Sequence, residues 1–168
     1  MAQELTTERL KLRPFTAADG ARVVEMLGDF EVSKWLARVS HPFGAGDLRL
    51  LNEDGTSRWP DLMAITLDGE VIGDTGAGPH FGYYIDRAHW GRGYASEAAK
   101  AAVNHGFGAL NHEAMEAGVF DGNTASRRIL DRLGFRESGR EMRLCRARNT
   151  ELPCTILTLT REDWETRV

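Results

Sequence analysis

The stretch LMAITLDGEVIG, residues 62–73, constrains the fold most tightly. Two apolar runs flank Asp68 and Gly69, a pair that accepts the positive φ angles of a two-residue hairpin turn. Strands joined this way are antiparallel. Period-two text recurs in RLKLR (9–13), FGYYID (81–86), MEAGVF (115–120), EMRLCR (141–146) and CTILTLT (154–160), the last two reading as a closing hairpin. This alternation suits an antiparallel sheet with one covered face better than a buried parallel one.

Helical text separates these strands. Thr16 to Asp19 reads as a capping box, opening a helix that runs to about Gly28 and buries Val23, Val24 and Leu27. EAAKAAVNH holds strong helix formers, predicting a helix from about residue 96 to about 106 with Gly106 as its stop. NTASRRILDRLGF predicts another, capped by Asn123 and stopped by Gly134. Residues 30–60 are irregular. They predict a short helix at Trp35 and Leu36, a second in GDLRLLNE and a solvent loop in DGTSRWP. Irregular text between ordered regions often forms one wall of a substrate site. TREDW adds a last capped turn. With neither repeats nor an internal linker, residues 1–168 are expected to form one α+β domain around a mixed, mostly antiparallel sheet flanked by helices.

Bulk properties limit the partners. The chain carries 21 basic and 25 acidic residues, a net charge of −4, which argues against a nucleic acid held by bulk electrostatics. No apolar run approaches the roughly 20 residues of a membrane span, and MAQELTTERL lacks the apolar stretch of a signal peptide. A cytoplasmic location without a membrane partner is expected; a homodimer stays open. Cys145 and Cys154 could face each other across the last hairpin, but two buried thiols fit a reducing compartment better. The histidines show no metal-ligand spacing, and no metal is expected.

The chemistry concentrates in HWGRGYASEAAKAAV, residues 89–103. Gly91 and Gly93 let a ligand approach the backbone, and the helix that follows turns its free N–H groups and positive dipole end back on the loop. That arrangement suits a pyrophosphate, with Arg92 able to add charge. A strand-to-helix turn that needs glycine only for shape reads equally well from the glycines alone.

HWGRGYASEA resembles the acyl-CoA-binding motif of the GNAT acetyltransferases, and in particular the RimJ/RimL branch acting on ribosomal-protein N-termini. TERLKLRPFTAAD, VIGDTG, GYYIDRAHWGRGYASEA, NTASRRILDRLGF and LTLTREDW are similar to successive elements of that branch, nearly from end to end. The resemblance implies a GNAT-like fold with acetyl-CoA in a cleft between central strands. It implies transfer of the acetyl group to a primary amine, a protein N-terminus or a small molecule, within a ternary complex. Carried onto this sequence, it places the cofactor against Ile85, Trp90, Gly91, Arg92, Gly93, Tyr94, Ala95, Ser96 and Asn123. Trp90 stands where the superfamily more often has Gln or Arg, and is expected to pack. Many relatives carry a tyrosine seven residues after the Asn, donating a proton to the departing thiolate; here that residue is Leu130. Ser126, three residues after Asn123, takes a place where the branch often has serine, and is the candidate acid.

The base does not declare itself. His80 has a side chain whose usual pKa suits the task. Asp86 and a carboxylate of the irregular region are alternatives. A backbone N–H between residues 83 and 86 is the expected oxyanion donor. Tyr83 and Tyr84 point to opposite faces of their strand, so only one can line the cleft, and Tyr84 is taken as the catalytic candidate. Trp35 and Trp59 are expected to pack rather than to bind. Two other functions compete. Gly91-x-Gly93-x-x-Ser96 followed by Asp121 imitates a dinucleotide-binding unit, though Ser96 replaces the third glycine and the acid falls late. A non-catalytic acyl-CoA sensor would share the fold without turnover.

Overall fold

A computed structural model of the chain describes residues 3–49, 52 and 58–167. Among the described residues, eight strands form two sheets. The first has the order β1 (Leu5–Thr6), β2 (Lys11–Arg13), β3 (Leu62–Leu67), β4 (Glu70–Gly76), β5 (Tyr83–Ile85), every pair antiparallel. The second has the order β6 (Ala114–Phe120), β8 (Thr150–Thr160), β7 (Arg136–Cys145). The hairpin at Asp68-Gly69 forms as the sequence predicts, with φ of +50° and +87° at its two residues.

The sheets join at one place. Phe81 N–H donates to Glu116 O and Glu116 N–H to Pro79 O, both at 2.8 Å, a short parallel connection through His80. It makes the architecture mixed. Beyond it β5 and β6 run in the same direction and are no longer paired, so a gap opens between their C-terminal ends. FGYYID therefore yields a strand of three residues, because Phe81 is spent on the junction.

Among the described residues, five α-helices flank the sheets. α1 (Gly20–Gly28) follows a single 3₁₀ turn in which Asp19 accepts from Thr16 N–H at 2.7 Å and from both Arg13 guanidinium nitrogens at 2.8 Å. It buries Val23, Met26 and Leu27, with Val24 only half-buried. α2 is Phe30–Ser33, ahead of the predicted Trp35 and Leu36, because Asp29 caps it by accepting from Glu31 N–H. The helix predicted in GDLRLLNE is one 3₁₀ turn, Ala45–Asp47, ended by the extended backbone of Leu48; most of DGTSRWP lies outside the described residues.

α3 (Tyr94–Gly108) is longer than predicted at both ends. It starts at Tyr94, two residues before the expected start, with Gly93 as its cap at φ of +82°. Gly106 does not stop it: a Cβ there would sit 2.8 Å from Ala77 O and 2.9 Å from Met115 Sδ, so this glycine admits the helix against the sheet. Ala98, Ala99 and Ala102 are fully buried on the same contact, which explains the alanine-rich text. α4 (Thr124–Leu133) begins at Asn123 and ends at Gly134, both as predicted. α5 (Arg161–Glu165) is capped by Thr160. Two cores result. Leu12, Ile65, Ile72, Ala98, Phe107 and Leu157 belong to the α3 and α4 side, Phe15, Val23, Met26, Val32, Ala64 and Tyr84 to the α1 and α2 side. Cys145 and Cys154 are buried free thiols, opposite Thr150 and Glu141 and so out of register with each other.

Candidate functional site

β5 borders the gap, and its hydrogen bonds decide what faces it. Phe81 N–H points across to β6 and Asp86 N–H points back to Ile72 O at 2.7 Å. Alternation along the strand then turns the backbone polar groups of Tyr83 and Ile85 into the gap. Ile85 O is taken by the Trp90 indole N–H at 2.7 Å. Trp90 thus braces the loop against the end of β5, while the rest of its ring stays exposed.

After one 3₁₀ turn (Arg87–His89) the chain enters the glycine loop. Gly91 and Gly93 both have positive φ, +73° and +82°, a conformation that costs side-chain-bearing residues about 1–2 kcal/mol. Nothing lies within 4 Å of a Cβ built on Gly91, so its side-chain face is open space. The loop's other side is held by the β1–β2 turn. Glu97, in the first turn of α3, accepts from Thr7 Oγ1 at 2.6 Å, Arg9 N–H at 2.8 Å and Arg9 Nε at 2.7 Å. Burial works against the charge on Glu97, and the donors of Thr7 and Arg9 outweigh it, holding its carboxyl below the usual range. Arg9 also donates to Arg92 O at 2.8 Å and stacks on the Tyr94 ring. The TERL and YASEA motifs are thereby two halves of one clamp that fixes the loop's shape.

Ile85, Trp90, Gly91, Gly93, Tyr94, Ala95 and Ser96 line one recess of about 300 Å³. The structure brings these predicted residues together. Arg92 and Asn123 lie outside its lining: the Arg92 carbonyl serves the clamp, and Asn123 Oδ1 accepts from Ser126 N–H at 3.3 Å as a helix cap. The opposite wall is α4, through Ala125, Arg128, Ile129 and Arg132. Arg128 and Arg132 escaped the sequence reading because arginines four apart on a helix read as a solvated face. Their neighbour Arg127 is tied to Asp131 and Glu137. A larger recess, about 440 Å³, lies between residues 6–13 and the Asp68–Gly69 turn, but it has no glycine loop or helix N-terminus in its lining.

At the head of α4, Ser126 Oγ meets the Tyr83 hydroxyl at 3.0 Å. Burial pushes the Tyr83 phenol up to about 12, against a smaller lowering by Ser126, so it keeps its proton at neutral pH. Leu130, one turn further on, is 1% exposed and has only hydrocarbon to offer. Tyr84 is on the other face of β5, in the α1 and α2 core. His80 sits at the junction of the sheets, on the closed side of the gap and exposed. Asp86 is tied to Arg22 and to His89 Nδ1. Trp35 packs beneath the Arg148 guanidinium and against Gly122, whereas Trp59 is 49% exposed and donates to Arg49 O.

The chain is similar to known proteins along most of its length. The acetyltransferase (GNAT) domain family matches residues 9–136. The uncharacterized N-acetyltransferase p20 of Bacillus licheniformis is 32% identical over 153 residues, covering 82% of this chain and 84% of p20. The uncharacterized N-acetyltransferase YoaA of Bacillus subtilis is 31% identical over 154 residues, covering 80% of this chain and 84% of YoaA. Among solved structures, Mycobacterium smegmatis RimJ in complex with CoA-disulfide superimposes with a TM-score of 0.77 at 22% identity, covering 96% of this chain and 88% of RimJ. The ribosomal-protein-S5-alanine acetyltransferase of Vibrio fischeri gives 0.75 at 16%, covering 96% and 98%. The glycine loop, the two helix starts around one recess and the parting of β5 from β6 are thus features of a GNAT acetyltransferase domain, and the chain belongs to that family.

Proposed function

We propose that the chain moves an acetyl group from acetyl-CoA to a primary amine, a protein N-terminus or a small molecule, with both substrates bound at once. The observation that carries this reading is the convergence on one recess of the α3 N-terminus, the end of β5 at Ile85 and the arginine-bearing face of α4, whose first turn also holds the Tyr83–Ser126 contact. The solved RimJ relative holds a CoA-disulfide, which agrees with it.

The residues suit the group. A pyrophosphate is an anion with many acceptors, and the loop from Gly91 to Ser96 supplies backbone donors, an open glycine surface and the positive end of a 15-residue helix. Arg128 and Arg132 add positive charge from the facing wall. Acetyl-CoA would supply the activated acyl carbon. What remains for the protein is to orient, to stabilise the oxyanion and to move two protons. The N–H groups of β5 that face the gap are the oxyanion donors, worth roughly 3 kcal/mol where such donors have been removed. Ser126, in contact with Tyr83, gives the departing sulfur its proton; Tyr83 stays protonated and holds the serine in place. The Asn123 cap fixes Ser126 at the first turn of α4.

Thiol release from acetyl-CoA across a panel of amines and peptides tests the reading, alongside binding of acetyl-CoA and NADH. Release is expected with at least one acceptor, and Ser126→Ala lowers the rate about tenfold or more. Wild-type rates in that variant remove the acid role from Ser126. Binding of acetyl-CoA without release in any case makes the chain a sensor. Tight NADH binding without acetyl-CoA binding overturns the donor assignment.

A further inference from the structure

The α1 and α2 face of the first sheet carries a polar pair, a buried tyrosine on β5 and a partly buried carboxyl on β4, that the donor recess does not use. Tyr84 projects there, 8% exposed, packed with Val23, Met26, Leu27 and Val32. Its hydroxyl faces the Asp74 carboxyl but closes no well-formed hydrogen bond among the described residues. Asp74 is directly opposite Tyr84 in the β4–β5 register. It reaches this face through a bulge. Ile65 pairs with Gly73 and Thr66 with Val71, so Ile72 is an extra residue on β4. Without it Val71 and Asp74 would point to opposite faces; with it both turn toward α1 and α2.

α2 covers the same face from the end of β5 toward the end of β6. Asp29, at its start, is 3.8 Å from Arg87, and Trp35, just past its end, lies against Gly122. Ser33, inside it, is fully buried with a hydroxyl that also lacks a partner among the described residues. Buried hydroxyls left this way are expensive, and they recur where a ligand completes them. The tyrosine stands on the strand that borders the gap and the carboxyl one strand further in.

We propose that the Tyr84–Asp74 pair takes the proton of an acceptor amine that enters beneath α2. The inference rests on the acetyl-transfer reading above. As the amine nitrogen bonds to the thioester carbon, its proton passes to the Tyr84 oxygen and the tyrosine's own proton to the Asp74 carboxylate. The C–S bond then breaks with its electron pair on sulfur; sulfur takes its proton from Ser126 on the other face, the serine oxygen regains one from solvent, and Asp74 returns its extra proton to solvent. Burial pushes the Asp74 carboxyl up to about 7, against a smaller lowering by Tyr84, so at neutral pH it is poised to accept. The Tyr84 phenol is raised well above its usual value, by burial first and the nearby Asp74 next. The charged groups packed around the pair are spent on one another. Arg22 and Glu25 of α1 pair together, Arg22 also holding Glu70 and Asp86, and His89 joins Asp86. Glu31 and Lys34 at α2 pair with each other. Among the described residues none of these cations reaches Asp74, which leaves its carboxyl free to change charge.

The test is kcat/KM against pH for wild type, Asp74→Asn, Tyr84→Phe and the double variant, with two amines of different basicity. Wild type should show an inflection near 7 that stays in place when the amine changes. Asp74→Asn and Tyr84→Phe should each lose about 100-fold at neutral pH and lose the inflection. The double variant should be no worse than either, as for groups acting as a unit. Stability separates this from a folding defect. The Asp74 pKa is higher folded than unfolded, so from about pH 4 to about 7 the unfolded chain gives up a proton that the folded chain keeps, and wild-type stability falls. Asp74→Asn escapes that loss and should melt above wild type at pH 8. An Asp74→Asn protein with the wild-type rate and profile, additive losses, or a variant both inactive and less stable at pH 8 overturns the role of the pair. A wild type silent with every amine overturns the acetyl-transfer reading instead, and the pair's role with it.

Discussion

Tyr83 and Tyr84 share a side-chain chemistry and a strand, and the fold gives them opposite surroundings. Tyr83 meets Ser126 on the α3 and α4 face, where a hydroxyl answers it at 3.0 Å and burial keeps its phenol protonated. Tyr84 meets a carboxyl on the α1 and α2 face, where its own hydroxyl is left without a well-formed partner. The first hydroxyl is answered by a second hydroxyl; the other has only a carboxyl beside it and no well-formed hydrogen bond among the described residues. One face of the strand suits a departing thiolate that needs a proton, the other an arriving amine that must shed one. A sheet that opens between β5 and β6 is what allows a single acyl carbon to be reached from both.

Substitutions can break this division at different points. The largest effect is expected at Gly73, where a Cβ would run into the backbone oxygen of Tyr84. No side chain fits there while β4 and β5 stay paired, so Gly73→Ala must push β5 away and disturb both tyrosines together. We expect a loss of about 3 kcal/mol or more in urea unfolding, with both halves of the chemistry lost. A protein of wild-type stability would show that β5 is not held as closely as described. Gly91→Val should be gentler and one-sided. Its Cβ enters open space, so the cost to folding should stay near the 1–2 kcal/mol of the positive φ. The side chain would occupy the ground the pyrophosphate needs, and acetyl-CoA affinity should fall about tenfold or more in calorimetry, with the pH profile of turnover unchanged. A shift in that profile would mean that the two faces are not independent.

Much of this was legible in the sequence. The hairpin at Asp68-Gly69, the caps at Asn123 and Thr160 and the stop at Gly134 are local devices, and local text encodes them. The glycine loop was legible as well, because positive φ and a following helix leave a residue-level signature. Gly106 was misread for the complementary reason: glycine for close packing looks identical to glycine for a helix end until the partner backbone is known. Asp74 was hidden more deeply. In VIGDTG plain alternation sets it on the face of Ile72, away from Val71, and only the extra residue on β4 turns it toward α1 and α2. A bulge is fixed by pairing between strands, so the text of one strand cannot announce it. Arg128 and Arg132 were missed because the sequence does not say which face of α4 meets α3.

The central claim is that acetyl-CoA occupies the α3 and α4 side of β5. Its most direct test is an amide NMR titration of the wild-type chain with acetyl-CoA. The account predicts that resonances of residues 91–96 and of the first turn of α4, around Ser126, shift together and saturate, while those of Val23 to Leu27 on α1 stay in place. Shifts centred on residues 6–13 and the Asp68–Gly69 turn, at the larger recess, or first on α1, would contradict it.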